Sequence, residues 1–342
     1  MYQREFERRA RIGLVGVGSH AYRNLLPALH FLPARIVAMT SRGQEKLRRT
    51  AEEYGCNAYS SAREMYENEA LDGVVISVSP QLHPELALEA LSHGVNVFLE
   101  KPPAMRARQI EQLLEARGDR VVSVGFKKAF TPGAGKVREI LADGRFSPLQ
   151  SVLGIYQMTL PEDGPGVLER MEFTNWLGNG VHPLSMMLST AGPAKRLMAH
   201  RASNGAGVVA LEFASGAFGN LHLAQMPMQM ESYHFFGGDW RLSIDNTEHV
   251  ELDRGIPFEY AYTSNFAPAG TESGSVVWRP QNCLATLENK SLFMQGIVGE
   301  LSEFLNAVLD GTPVKYTSLE FALEVMRAYE AALLSDGEWV DL

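Results

Sequence analysis

The chain has 342 residues, with 31 Lys and Arg against 40 Asp and Glu and a formal net charge of −9. The length accommodates two domains, and a hydrophobic content of 45% is that of a globular protein, which argues against disordered, collagen-like and repeat architectures. The acidic balance argues against a nucleic-acid partner, and the two cysteines, Cys56 and Cys283, make neither a disulfide framework nor a zinc motif.

No apolar run approaches the roughly 18 to 20 residues of a membrane span, and the N-terminal MYQREFERRARIG is charged where a signal peptide turns apolar. The expectation is a cytoplasmic protein with no membrane partner. From Arg11 to Phe126, short β-branched runs alternate with amphipathic segments, the pattern of successive β-α units with a parallel sheet. The expected strands are Arg11–Val15, Ile36–Thr40, Val74–Val78, Val95–Leu99 and Val121–Phe126, apolar throughout because helices cover both faces of such a sheet. The expected helices are Ala21–His30, Glu45–Tyr54, Pro84–Ser92 and Ala104–Ala116, three of them followed by Gly55, Gly94 and Gly118.

Beyond Phe126 the rhythm changes. Helices are expected at Ala134–Leu141 and His182–Thr190. The strands Leu197–Arg201, Val208–Phe213, Ala217–Gln225, Tyr233–Phe236 and Trp240–Asp245 follow without helices between them, which reads as antiparallel sheet. Turns are expected at Ala214-Ser215-Gly216 and Gly237-Gly238-Asp239. Residues 251–281 show no usable period, the alternating Met226, Met228 and Met230 mark one face of a strand, and the helices Phe293–Leu309 and Leu319–Leu334 close the chain. The expected division is a β-α-β domain over 1–126 and an α+β domain over 127–342, with the closing helices free to return to the first.

Gly16-x-Gly18-x-x-Ala21 falls between the first strand and the first helix, where one glycine permits a tight turn and the next lets a pyrophosphate approach the backbone. Ser19 and His20 belong to the same turn. A carboxylate normally ends the second strand of an NAD-preferring domain. Here the strand ends Thr40-Ser41-Arg42, a hydroxyl and a guanidinium suited to a ribose 2′-phosphate, so NADP is favoured and NAD remains possible. Arg42 otherwise simply opens a solvated helix.

Two further strands end in chemistry-bearing turns, Ser79-Pro80-Gln81-Leu82-His83 and Glu100-Lys101-Pro102, at the sheet edge where ligands of open α/β sheets bind. Together with Gly180-Val181-His182, this ordered set resembles the glucose-fructose oxidoreductase / inositol dehydrogenase / MocA family over nearly the whole chain, most specifically residues 11–190. The resemblance implies an N-terminal Rossmann fold and a C-terminal α+β domain on a large, mainly antiparallel open sheet. It also implies a homo-oligomer, dimer or tetramer, built through that sheet, and NAD(P)-dependent chemistry on a small-molecule sugar, sugar derivative or polyol, with no metal.

Lys101 matches the family's active-site lysine and His182 its motif histidine. The two acidic positions around that histidine are replaced by Gly178 and Ser185, leaving Glu172, Asn175 or Asn179 to substitute through space. In this reading Lys101 polarises a carbonyl oxygen and His182 takes and returns the hydroxyl proton. Glu100 holds Lys101 or meets the nicotinamide amide, Pro102 fixes the turn, and Ser79 and His83 lie on the cofactor side. Lys127, Trp176 and Asn179 face substrate. Plainer readings stand beside these: His83 as helix entry, Trp176 as core, Lys127 as a solvated cation. Loss of both motif carboxylates also leaves open a catalytically weak or silent dinucleotide-binding regulator of the same fold, and a substrate outside the carbohydrates.

Overall fold

The computed structural model describes residues 6–225, 230–254, 274–279 and 290–342. Met226, Met228, Cys283 and most of the aperiodic stretch 251–281 lie outside the described residues. The chain forms two compact units, one built from the chain up to Lys127 with Leu168–Phe173 and Gly296–Arg327, the other from Lys128–Val167, Thr174–Gln295 and Ala328–Leu342. Among the described residues no helix is long and apolar enough to cross a membrane.

The first unit holds a six-stranded parallel sheet made of β1 (Ala10–Val15), β2 (Ala34–Thr40), β3 (Asn57–Tyr59), β4 (Gly73–Ile76), β5 (Asn96–Leu99) and β6 (Val122–Val124). Its spatial order is β3-β2-β1-β4-β5-β6. The chain therefore winds outward from β1 to β3, then crosses back to lay β4 on the other side of β1. This reversal opens a crevice beyond the carboxyl ends of β1 and β4. Ile12, Leu14, Val74, Val75, Ile76, Val97, Phe98 and Leu99 have no exposed surface, as burial on both faces requires.

The helix Gln44–Tyr54 stops at Gly55, which takes the left-handed conformation. The edge strand β3 and the helix Ala62–Asn68 behind it have no counterpart in the expected elements. β3 is three residues long and largely exposed, so no apolar run marks it. The first expected helix, Ala21–His30, forms as a widened turn over Ala21–Leu25 running into Leu26–Leu29.

The second unit carries a nine-stranded sheet of β7 (Ser151–Gln157), β8 (Ala194–Arg201), β9 (Gly207–Phe213), β10 (Phe218–Ala224), β11 (Glu231–Phe236), β12 (Arg241–Asp245), β13 (His249–Asp253), β14 (Ser275–Trp278) and β15 (Val340–Asp341). The order is β14-β13-β12-β11-β7-β10-β9-β8-β15, antiparallel throughout except for the parallel pair β7 and β10. β7 and β10 alternate buried and accessible residues along their length. One face is thus covered, and the helix Val181–Ala191, buried from Val181 to Thr190, packs on it. Gly219 of β10 lets that helix come close, since a Cβ there would lie 2.9 Å from Met187 Cε. Both expected hairpins form: Gly237 N–H donates to Trp240 O (2.9 Å) and Phe213 N–H to Ala217 O (2.9 Å).

Candidate functional site

The crevice of the first unit begins at Gly16, whose φ of +97° follows directly on β1. Its amide donates to Thr40 O at 2.9 Å, tying the turn to the end of β2. A Cβ at this position would lie 2.2 Å from Ser77 O, so only glycine fits between β1 and the turn after β4. Gly18 has nothing within 4 Å of where a Cβ would stand, and its backbone is open to an approaching ligand. The crevice encloses about 440 Å³, and Gly16, Gly18, Ser41, Arg42, Ser77 and Ser79 line it.

Ser41 and Arg42 stand at one end of this crevice. Ser41 Oγ accepts from the Val17 amide at 3.4 Å, which leaves its own O–H to donate. Arg42 is exposed. Ser19 is exposed in the same turn. An anion at this end would meet the amides of the glycine turn, a hydroxyl and a guanidinium, a donor set that fits a dinucleotide carrying phosphate groups.

His20 turns toward the neighbouring strand ends. Its Nε2 lies 2.9 Å from Glu100 Oε1, and its Nδ1 lies 3.0 Å from the Asn24 side-chain amide. With Asn24 donating to Nδ1, the assigned tautomer carries its proton on Nε2 and donates to Glu100. The glycine turn and the Glu100-Lys101-Pro102 turn are thereby joined through one hydrogen bond. Glu100 is 6% exposed, its second oxygen accepts from the Lys101 amide at 3.2 Å, and the Lys101–Pro102 peptide is cis.

Two of the expected ligand-facing residues are corrected by the structure. His83 has no exposed surface: Nδ1 donates to Pro102 O at 2.9 Å and Nε2 accepts from the Val78 amide at 3.5 Å. Its ring holds two ligand-facing turns together from inside instead of facing the crevice, and burial pushes its pKa below the ordinary histidine value. Trp176 is likewise fully buried in the second unit, its Nε1 donating to Tyr329 O at 3.3 Å. Its ring lies against Gly180, where a Cβ would stand 2.3 Å from Trp176 Cε3, so this indole is core and offers no wall to a substrate.

His182, also in the second unit, is 6% exposed near the start of the helix Val181–Ala191. Ser185, in place of the motif's second carboxylate, donates its hydroxyl back to His182 O at 2.9 Å. Of the expected substitutes for the missing acids, Glu172 pairs with Arg170 at 3.1 Å and Asn175 Oδ1 accepts from the Asn179 amide at 2.6 Å. Asn175 and Asn179 line an uncharged polar cleft of about 350 Å³ with Tyr156, Gln157, Thr159 and Gln225. Lys128 is buried and ion-paired with Glu231, to which the Tyr233 hydroxyl also donates at 3.2 Å.

One group escaped the sequence reading. Glu300, 1% exposed on the helix Ile297–Asp310, shares its electrostatic surroundings with Glu100, Lys101 and Lys127. The available signal was its place three residues after Ile297 and four before Phe304, on the apolar stripe of the helix.

The β-α-β sheet with its reversal at β1 and β4, the glycine turn and the polar crevice have the form of a dinucleotide-binding fold. Residues 10–126 match the GFO_IDH_MocA family model, described as an oxidoreductase family with an NAD-binding Rossmann fold. Over those residues the chain is similar to this oxidoreductase family. It is 28% identical over 181 residues to an inositol 2-dehydrogenase of Gluconacetobacter diazotrophicus, a match covering 51% of this chain and about half, 52%, of that relative. It is 27% identical over 259 residues to a dTDP-3,4-didehydro-2,6-dideoxy-alpha-D-glucose 3-reductase of Streptomyces violaceoruber, covering 73% of this chain and 74% of the relative. The fold matches that of a dehydrogenase from Chromobacterium violaceum with a TM-score of 0.81 at 23% identity, covering 96% of each chain.

Proposed function

We propose that this chain is an NADP-preferring dehydrogenase or reductase of a small sugar, sugar derivative or polyol. Lys101 polarises the substrate oxygen and His182 handles its proton. The observation that carries the reading is the hydrogen bond from His20 to Glu100, which joins the glycine turn to the turn bearing Lys101. The preference for NADP rests on Ser41 and Arg42 at the end of the crevice, with no carboxylate in their place. Relatives named for an inositol and for a deoxyglucose derivative support the substrate class.

In the proposed site Gly16 and Gly18 admit the pyrophosphate, and Ser41 and Arg42 take the 2′-phosphate. Nicotinamide bound there supplies or accepts the hydride. The Lys101 ammonium donates to the oxygen of the reacting carbon and stabilises negative charge as it develops. Glu100 keeps that turn in place through its own hydrogen bonds. His182 takes the hydroxyl proton in oxidation and returns it in reduction. Ser185 contributes no acid to His182, which favours, as a second reading, a catalytically weak or silent regulator that binds the same dinucleotide.

A panel of sugars and polyols assayed with NADP and with NAD tests the proposal. Turnover is expected with NADP in preference to NAD, and Lys101→Ala is expected to lower kcat by about 10²-fold or more. Dinucleotide binding without turnover on any substrate supports the regulator. Full turnover in Lys101→Ala places the chemistry elsewhere.

A further inference from the structure

Glu300 lies beneath the strand ends that carry the proposed lysine. Its carboxyl packs against Gly125, directly after β6, where a Cβ would stand 3.4 Å from Glu300 Oε2 and 3.1 Å from Phe98 Cζ. Glycine at 125 therefore leaves the space that the carboxyl fills. The Gly125 amide donates to Leu99 O at 2.8 Å, so the same glycine fixes the end of β6 to the residue before Glu100. Glu300 Oε2 is buried and has no hydrogen-bond partner among the described residues. An ionised carboxylate so placed would lose its hydration without replacement, whereas a protonated acid removes the charge.

The charged groups that act on Glu300 come from two neighbouring turns: Glu100 and Lys101 after β5, and Lys127 after β6. Among the described residues, the remaining elements packed on its helix add no such influence. The helix Leu26–Leu29 is apolar, and Arg11 of β1 is engaged with Glu69 at 2.9 Å. Burial is the largest influence on Glu300 and raises its pKa well above the usual carboxylate range; Glu100 raises it further, while Lys127 and Lys101 oppose the rise.

We propose that Glu300 is a positioning residue of the Lys101 turn, a buried acid that stays protonated at the working pH and so adds no negative charge beneath the Lys101 ammonium. With Glu300 neutral, the pull of Lys101 on an oxygen that becomes negative during reaction is not opposed from beneath the turn. When Glu300 ionises, its negative charge opposes that pull. The inference rests on the proposed role of Lys101 for its effect on rate, but the protonation state of Glu300 stands independently.

The full chain carrying Glu300→Gln, which keeps the shape without an ionisable proton, provides the test. In rate measurements against pH, the alkaline fall of kcat/KM is expected to move up by about one pH unit or more in the variant. Glu300→Met, apolar and of similar length, carries the same expectation if the Gln variant folds poorly. Thermal melting without ligand supplies a second readout. A carboxyl whose pKa is raised on folding contributes stability that is complete below its unfolded value of about 4 and is lost as pH rises through the folded value. The melting temperature of Glu300→Gln relative to wild type should therefore climb from about pH 4 upward.

Identical alkaline limbs together with parallel melting curves overturn the proposal. A folded Gln variant with no turnover at any pH also overturns it, because the ionised form would then be the working one. If Lys101→Ala retains turnover, the rate argument loses its object while the melting comparison still decides whether Glu300 holds its proton.

Discussion

At the scale of single residues, His83 shows how burial turns a reactive side chain into a structural one. Both ring nitrogens are engaged, with Pro102 O and the Val78 amide, and the neutral ring is the form that satisfies both. Its pKa lies below the ordinary value because burial penalises the cation. The folded chain thus binds fewer protons here than the unfolded one, and the contribution to stability is complete above the unfolded value of about 6.5 and lost as pH falls from there through the lower folded value. Urea unfolding at a series of pH values should show a shallower acid-side loss of stability in His83→Asn than in wild type. That Gly16, Gly18, Ser41 and Arg42 line one crevice was legible because they follow directly on the ends of β1 and β2. His83 and Glu300 were not, since a histidine before a helix and a glutamate inside one carry no mark of burial until distant segments close over them.

At the scale of elements, the legible strands were β1, β2, β4, β5 and β6, whose apolar runs answer burial on both faces, and β8 to β12, which follow one another without helices between them. β7 was missed because Ser151–Gln157 alternates accessible and buried residues around a central Gly154, a weak pattern without its partners. It is nevertheless central to the second sheet, pairing with β11 on one side and β10 on the other. Glu231 at the start of β11 is anchored by buried Lys128 and by the Tyr233 hydroxyl. Removing one partner leaves the other charge buried and unmatched, so Lys128→Met is expected to destabilise the protein by about 3 kcal/mol. Adding Glu231→Leu should restore most of that loss in thermal melts, because the isolated charge disappears with it.

At the scale of the whole molecule, the covered face of the second sheet contrasts with its other face, where Phe218 is 44% exposed beside Trp339 at a ring separation of 6.2 Å. We propose that a second copy of the chain covers this face, the homo-oligomer expected from the sequence. Light scattering should then give a multiple of the chain mass for wild type and a smaller species for Phe218→Glu. A wild-type monomer would remove the proposal.

The return of Gly296–Arg327 to the first unit bears on how the chain can be divided. Phe304 lies tilted against Phe98 at 5.7 Å, Phe321 meets Phe126 at 5.7 Å, and the Val124 amide donates to Thr317 O at 2.7 Å. A fragment ending at Lys127 would keep every β-α repeat of the nucleotide-binding half yet expose both phenyl rings and the free edge of β6 to water. Such a fragment invites aggregation, and any dissection of the protein must carry the distant C-terminal helices along with the glycine turn.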